Sequence, residues 1–207
     1  MAGAALVFVV DDDASVRKSL TRVIGSAGYT VEAFASAREF LEAARATGPC
    51  CLILDVRMPG ITGLDLQKTL AQAVHRIPVV FITGHGDIAM GVEAMKAGAV
   101  DFLTKPFAAK DLLDAIRRAV ERDTQDLGTE ARARSIHARV ETLTARERQV
   151  FALVVTGMLN KQIAGRLGIA EKTVKVHRAR VMEKMGAGSV AELVRLADSV
   201  GVIVAKT

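Results

Sequence analysis

Five polar residues follow or close short apolar runs. Asp11 and Asp12 come after Leu6-Val-Phe-Val-Val10, Asp55 after Cys51-Leu-Ile-Leu54, Thr83 after Pro78-Val-Val-Phe-Ile82, and Lys105 after Asp101-Phe-Leu-Thr104. Apolar runs this short, bounded by turn residues such as Pro59-Gly60, read as fully buried strands. The carboxyl ends of parallel strands share one edge, so these side chains should converge. Three carboxylates there carry a charge of about −3 and raise one another's pKa unless a cation sits among them. A hard, oxygen-seeking ion such as Mg²⁺ (or Mn²⁺), together with the Lys105 ammonium, brings the sum to about zero. Asp11 and Asp12 are consecutive and suited to holding an ion directly and through water. Asp55 stands alone opposite them, free to act as a nucleophile. With a metal and Lys105 neutralising the equatorial oxygens of an incoming phosphoryl group, an aspartyl phosphate can form, and Thr83 can offer its hydroxyl to a phosphoryl oxygen. Singly, each residue has a plainer use: a strand-end acid caps loops, a strand-end Thr is a β former, and a Lys before Pro is solvated.

The elements that must position them follow from periodicity. Strands are expected at Leu6–Val10, Thr30–Phe34, Cys51–Asp55, Pro78–Thr83 and Asp101–Thr104. Helices are expected between them: Ala14 to Ser26 with Gly28 as stop, a capping box Ser36-Ala-Arg-Glu39 opening a helix to about Ala46, then about Leu64 to Ala73. A fourth runs from a cap at Asp87 to near Gly98, and a fifth from Ala108 past Val120. Alternating strands and helices make an α/β fold, a doubly wound five-stranded parallel sheet of the flavodoxin-like kind, over residues 1–122.

Half of the 207 residues are hydrophobic, ample for buried cores. No apolar run approaches the roughly 18 residues of a membrane span, and the amino terminus lacks the order of a signal peptide. Adjacent Cys50 and Cys51 fit reduced core positions in a cytoplasmic protein better than a disulfide. Residues 1–122 hold 14 Lys+Arg against 14 Asp+Glu, and residues 123–207 hold 14 against 9. The net +5 therefore lies in the last third, which suits an anionic partner for that part.

Residues 123–141 are polar and charged, with Gly128 as the strong breaker, and read as a partly helical linker; simple extension of the preceding helix is the alternative. Residues 142–207 read as an all-α, four-helix unit. Thr144-Ala-Arg-Glu147 is a capping box, Asn160 is expected to cap a short second helix ending at Gly168, residues 171–185 form a third, and Ser189 caps a fourth. Two short helices about a Gly-containing turn, the second basic, suggest a helix-turn-helix. At about 100° per residue, Val174, His177, Val181 and Met185 make a core stripe on the third helix, with Lys172, Lys175, Val176 and Ala179 opposite and Arg178 and Arg180 flanking. A valine among cations fits a thymine methyl in a major groove, with Lys175 reaching base acceptors or phosphate. His177, nearest the core stripe, reads as structural.

Val9-Val-Asp-Asp-Asp13, Leu54-Asp-Val-Arg-Met-Pro-Gly60, Ile82-Thr-Gly-His-Gly86 and Asp101-Phe-Leu-Thr-Lys-Pro-Phe107 resemble the receiver domain of two-component response regulators. Thr83-Gly-His-Gly-Asp87 with Glu93-Ala-Met-Lys-Ala-Gly-Ala99 is similar to the FixJ branch. Leu143-Thr-Ala-Arg-Glu-Arg-Gln149, Asn160-Lys-Gln-Ile-Ala164 and Thr173-Val-Lys-Val-His-Arg178 resemble the LuxR/NarL-type DNA-binding domain. The resemblance implies that Asp55 takes a phosphoryl group from a sensor histidine kinase and that the backbone carbonyl of Arg57 completes the metal shell. It implies that Thr83 is drawn inward and Phe102 turns from surface to interior, remodelling a face of the fourth helix, fifth strand and fifth helix that pairs two receivers. Arg57 and His85 would border the path of hydrolytic water. Promoter DNA, double-stranded, would meet Asn160, Lys161, Lys172, Thr173, Lys175, Val176, Arg178 and Arg180, with RNA polymerase a further partner in the bacterial cytoplasm.

Beyond self-catalysed phosphotransfer and slow autodephosphorylation, no enzymatic turnover is expected. A flavodoxin-like nucleotide binder would want hydroxyls and glycines about its phosphate. A haloacid-dehalogenase-type phosphatase would carry a second Asp where Arg57 stands. A receiver acting mainly through protein contacts is the remaining alternative, and it has no use for a basic helix with an outward valine. Two positions depart from the resembled pattern. Ala170 replaces a Ser or Thr cap, a loss of about 1 kcal/mol that Glu171 in the first turn partly offsets. Ala179 is small where relatives carry longer polar side chains.

Overall fold

The computed structural model describes residues 5–44, 46, 48–72, 76–84 and 88–201. It divides into two units, residues 1–127 and 128–207. The first unit holds β1 (Leu6–Val10), α1 (Ala14–Ser26), β2 (Thr30–Phe34), α2 (Ala37–Ala43), β3 (Cys50–Asp55), α3 (Gly63–Leu70), β4 (Val79–Thr83), α4 (Ile88–Lys96) and β5 (Asp101–Thr104). The sheet is parallel throughout, in the order β2-β1-β3-β4-β5. Chain order reverses direction between β1 and β3, so the carboxyl ends of these two strands flank the crevice where open α/β sheets bind ligands.

Alternation along the strands sorts their side chains onto two faces. Phe8, Val10, Leu52, Leu54 and Phe81 pack with Phe40, Leu66, Leu70 and Ala94 of α2, α3 and α4. Val7, Val9, Cys51, Ile53, Val80 and Ile82 pack with Leu20 and Ile24 of α1 and with Leu112 and Ile116. The latter two belong to α5 (Ala109–Glu141). Both faces are covered, which is why the central strands are continuous apolar runs.

Several boundaries differ from the sequence reading. The segment 123–141, expected as a partly helical linker, is helix throughout, as the continuation of α5. A mid-helix Gly costs about 1 kcal/mol relative to Ala, and Gly128 alone does not stop a helix rich in good formers. α2 ends at Ala43 and α3 at Leu70, each about a turn short of expectation. The expected cap Asp87 lies outside the described residues, as does His85.

The second unit adds α6 (Ala145–Val154), α7 (Asn160–Leu167), α8 (Glu171–Met185) and α9 (Val190–Ser199). Its core gathers Ile136 from α5, Val150, Phe151 and Val154 from α6, Ile163, then Val174, Val181 and Met185 from α8, and Leu193 and Leu196 from α9. The capping box at Thr144 and Glu147 is formed, and Ser189 caps α9. Asn160 does not cap α7. It is the first helical residue, and the cap position falls to Leu159, which has no side-chain oxygen to give.

Candidate functional site

β1 and β3 end side by side, Val10 opposite Leu54 in register. Their next residues bring Asp11 and Asp55 together, and both carboxylates are buried. Lys105, one residue past β5, extends its ammonium to both, 2.7 Å from Asp11 Oδ2 and 3.4 Å from Asp55 Oδ1. The Lys105 amide donates to the Thr83 carbonyl at 2.7 Å, which fixes the base of the side chain. The other oxygen of Asp11 accepts from the Asp13 amide at 2.9 Å. Asp13 is turned away to cap α1, accepting from the Ser15 and Val16 amides. Asp12 is exposed, and unlike the equally exposed Asp13 it is not the cap of α1. Arg17 donates to the carbonyls of Asp11 and Asp12 at 2.7 and 2.9 Å and holds the acidic loop in shape.

The electrostatics are those of a charge-deficient pocket. Burial pushes the Asp55 carboxyl above the ordinary carboxylate range; Lys105 pulls it back, and Asp11 and Asp12 push it further up. Burial of Lys105 works to lower its pKa, but the hydrogen bond to Asp11 and the charges of Asp55 and Asp11 outweigh it, so the net direction is up. Lys105 is held as an ammonium. Among the described residues no three His, Cys, Asp or Glu side chains form a ready-made metal cage. The donors that do face the crevice are all oxygens, the chemistry a hard divalent cation takes.

Thr83, at the end of β4, is buried. Phe102 is half-buried, its ring 6.3 Å from that of Phe81 and in van der Waals reach of where a Cβ on Gly91 would lie. It therefore starts from a partly interior position and not from the open surface. Arg57 has an exposed side chain. Gly63 was not singled out from the sequence, yet a methyl there would run into the backbone carbonyl of Asp55. Only a glycine lets α3 begin so close to the end of β3.

In the second unit, α8 presents Lys172, Thr173, Lys175, Val176 and Arg180 to solvent, and Val176 is 46% exposed. Lys161 on α7 is exposed too. Lys175 pairs loosely with Glu171 at 3.6 Å, one turn away. Arg178 and Asn160 are joined instead to each other, Nη1 to Oδ1 at 2.8 Å, so they brace α8 against α7. His177 is half-buried, and its Nδ1 is shut in without a hydrogen-bond partner. The carboxyl end of α8 is tied down by contacts that leave no local sign in the sequence. Arg139 donates to the Met185 carbonyl at 2.9 Å, and Lys184 donates to Glu147 at 2.7 Å and to the Thr142 carbonyl at 3.0 Å.

These two assemblies match known families. Residues 7–117 match the response regulator receiver domain. The chain belongs to the response-regulator family. Residues 141–197 of this response regulator match the bacterial regulatory proteins of the luxR family, so its carboxyl-terminal unit is a helix-turn-helix domain of that kind. Nodulation protein W of Bradyrhizobium diazoefficiens is 50% identical over 198 residues, covering 96% of this chain and 87% of that protein. Transcriptional regulatory protein FixJ of Rhizobium meliloti is 46% identical over 191 residues, covering 92% and 94%. Among solved structures, the response regulator StyR superposes with a TM-score of 0.84 at 48% identity, covering 94% of this chain and 98% of that one. Among the described residues no helix of the regulator is long and apolar enough to cross a membrane.

Proposed function

We propose that this response regulator is a phosphorylation-switched transcription factor, with Asp55 as phosphoacceptor from a sensor histidine kinase. The observation that carries the reading is the Lys105 ammonium lying between the carboxylates of Asp11 and Asp55 at the reversal point of the sheet. A carboxylate oxygen of Asp55 attacks the phosphorus of a phosphohistidine; the P–N bond breaks as the P–O bond forms, and the imidazole leaves. Lys105 stays paired to the crevice and neutralises a phosphoryl oxygen, while the Thr83 hydroxyl takes another. Asp11, Asp12, Asp55 and the Arg57 carbonyl would hold Mg²⁺ or Mn²⁺, which would supply the remaining positive charge. Arg57 is read as bordering the water that later hydrolyses the acyl phosphate, and this slow reversal is the turnover the reading includes. A groove of about 280 Å³, lined by Val16, Leu20, Val23 and Phe107, opens beside Lys105 and suits an apolar helix of the kinase.

Thr83, drawn toward the phosphate, gives Phe102 room to complete its move inward. The face of α4, β5 and α5 then pairs two receivers, a reading supported by Val92 and Met95 on α4, each 46% exposed. Paired regulators set two α8 helices on neighbouring half-sites of promoter DNA in the cytoplasm. RNA polymerase is the expected downstream partner.

Phosphotransfer tests the first step. Acetyl phosphate with Mg²⁺ should add one phosphoryl group to the parent and none to Asp55→Asn, read by intact-mass spectrometry. Equal labelling of both would reassign the acceptor.

A further inference from the structure

Helix α7 opens on a residue that serves neither its stability nor the core. Asp13, Ser36, Thr62, Thr144 and Ser189 each place an oxygen on the first-turn amides of their helices, whereas Ala170 gives none to α8. At the same position of α7, Leu159 offers none. The return half of a capping box is nevertheless in place, because the Gln162 side chain accepts from the Leu159 amide at 2.8 Å. A Ser or Thr would complete it. Leu159 is also 68% exposed, more than any other large apolar side chain among the described residues. A residue that gives up a cap and leaves its apolar surface in water breaks two local rules at once, and such positions tend to be functional.

Its surroundings indicate what covers it. The Arg178–Asn160 hydrogen bond sets the amino-terminal end of α7 against α8, at the level of a residue two positions past Val176. Leu159, immediately before α7, and Val176 on α8 are exposed apolar side chains, and their neighbours in sequence include the exposed cations Lys161, Lys172 and Lys175. Exposed apolar side chains with cations close by in the sequence complement a polyanion that carries apolar patches at its base edges. Duplex DNA has this character, with thymine methyls in the major groove.

We propose that Leu159 is a specificity-determining residue that packs on a thymine methyl at the edge of the site read by α8. The inference rests on the DNA-binding reading above and extends it to a second helix.

The test uses the full-length protein treated with acetyl phosphate and Mg²⁺, and duplexes that the parent selects from a random pool. Leu159→Ser should raise the thermal midpoint, by completing the capping box, and weaken binding to the selected duplex by about tenfold, the size of one lost base-pair preference. The dependence of affinity on salt should not change, since no charge is removed. Replacing thymine by uracil at one position should weaken the parent and leave the Ser variant indifferent, while Leu159→Met keeps the parent's behaviour. A Ser variant that binds as the parent does, loses affinity equally on every duplex, or suffers the same uracil penalty would overturn the assignment. If Val176→Ala still alters base preference in that case, DNA reading by α8 stands and only Leu159 is wrong. A parent that selects no duplex overturns both.

Discussion

Gly63 shows how a single missing side chain shapes the proposed phosphoryl site. Its Cα faces the Asp55 carbonyl so closely that an added methyl meets backbone, which cannot rotate out of the way. Gly63→Ala should destabilise the receiver by about 2 kcal/mol, the usual scale of overpacking, and slow labelling by acetyl phosphate as Asp55 is displaced; denaturant unfolding and labelling rates on one preparation check both. Glu147 is the corresponding residue in the second unit. The hydrogen bond from Lys184, with the Thr144 amide behind it, holds its carboxyl down at about 2, against an ordinary 4.5. A depressed folded pKa means stability that is present above 4.5 and is lost as pH falls toward about 2. The thermal midpoint of the second unit should therefore drop across that window, and Glu147→Gln should flatten the drop. An unchanged slope in the Gln variant would remove Glu147 as its source.

On α8, the proposed DNA reading separates groove reading from anchoring. Lys172→Ala should weaken binding to all sequences alike and reduce the salt slope by about 1. Val176→Ala should leave the slope alone and cost roughly 1 kcal/mol at one base position. Affinities for single-base operator variants at several salt concentrations decide it, and equal losses on every operator for Val176→Ala would make the valine mere packing. The face on which Val176 lies was legible in the sequence because helical periodicity is local. The partners of Arg178, Arg139 and Lys184 were not, because they are 18, 46 and 37 residues away in the chain. Asn160 illustrates the same limit from the other side. Asn is a strong capping residue, yet its oxygen is taken by Arg178 and the helix starts one residue earlier in register than its type suggests. The length of α5 is hard to read locally for a related reason, since one Gly reads as a breaker in isolation while its flanking helix formers outweigh it.

Across the whole molecule, the sequence carried the sheet and the positions of Asp11, Asp55, Thr83 and Lys105, because buried parallel strands are unbroken apolar runs whose ends must align. It carried less of what holds them: Arg17 on the acidic loop, and the buried Asp123 that accepts from the Cys50 amide at 2.8 Å at the far end of β3. The Cys50 thiol there is pushed up to about 12 by burial, with Asp123 adding to it, which keeps it inert. If a phosphoryl group on Asp55 governs DNA binding by the luxR-type unit, as proposed, the affinity of the full-length protein for a selected duplex with and without acetyl phosphate will report it. Phosphorylation should tighten binding at least about tenfold, a typical allosteric coupling, and convert monomer to dimer in sedimentation, with Asp55→Asn showing neither change. Equal affinity of the phosphorylated and unphosphorylated parent, with the phosphoryl group confirmed on Asp55, would contradict it.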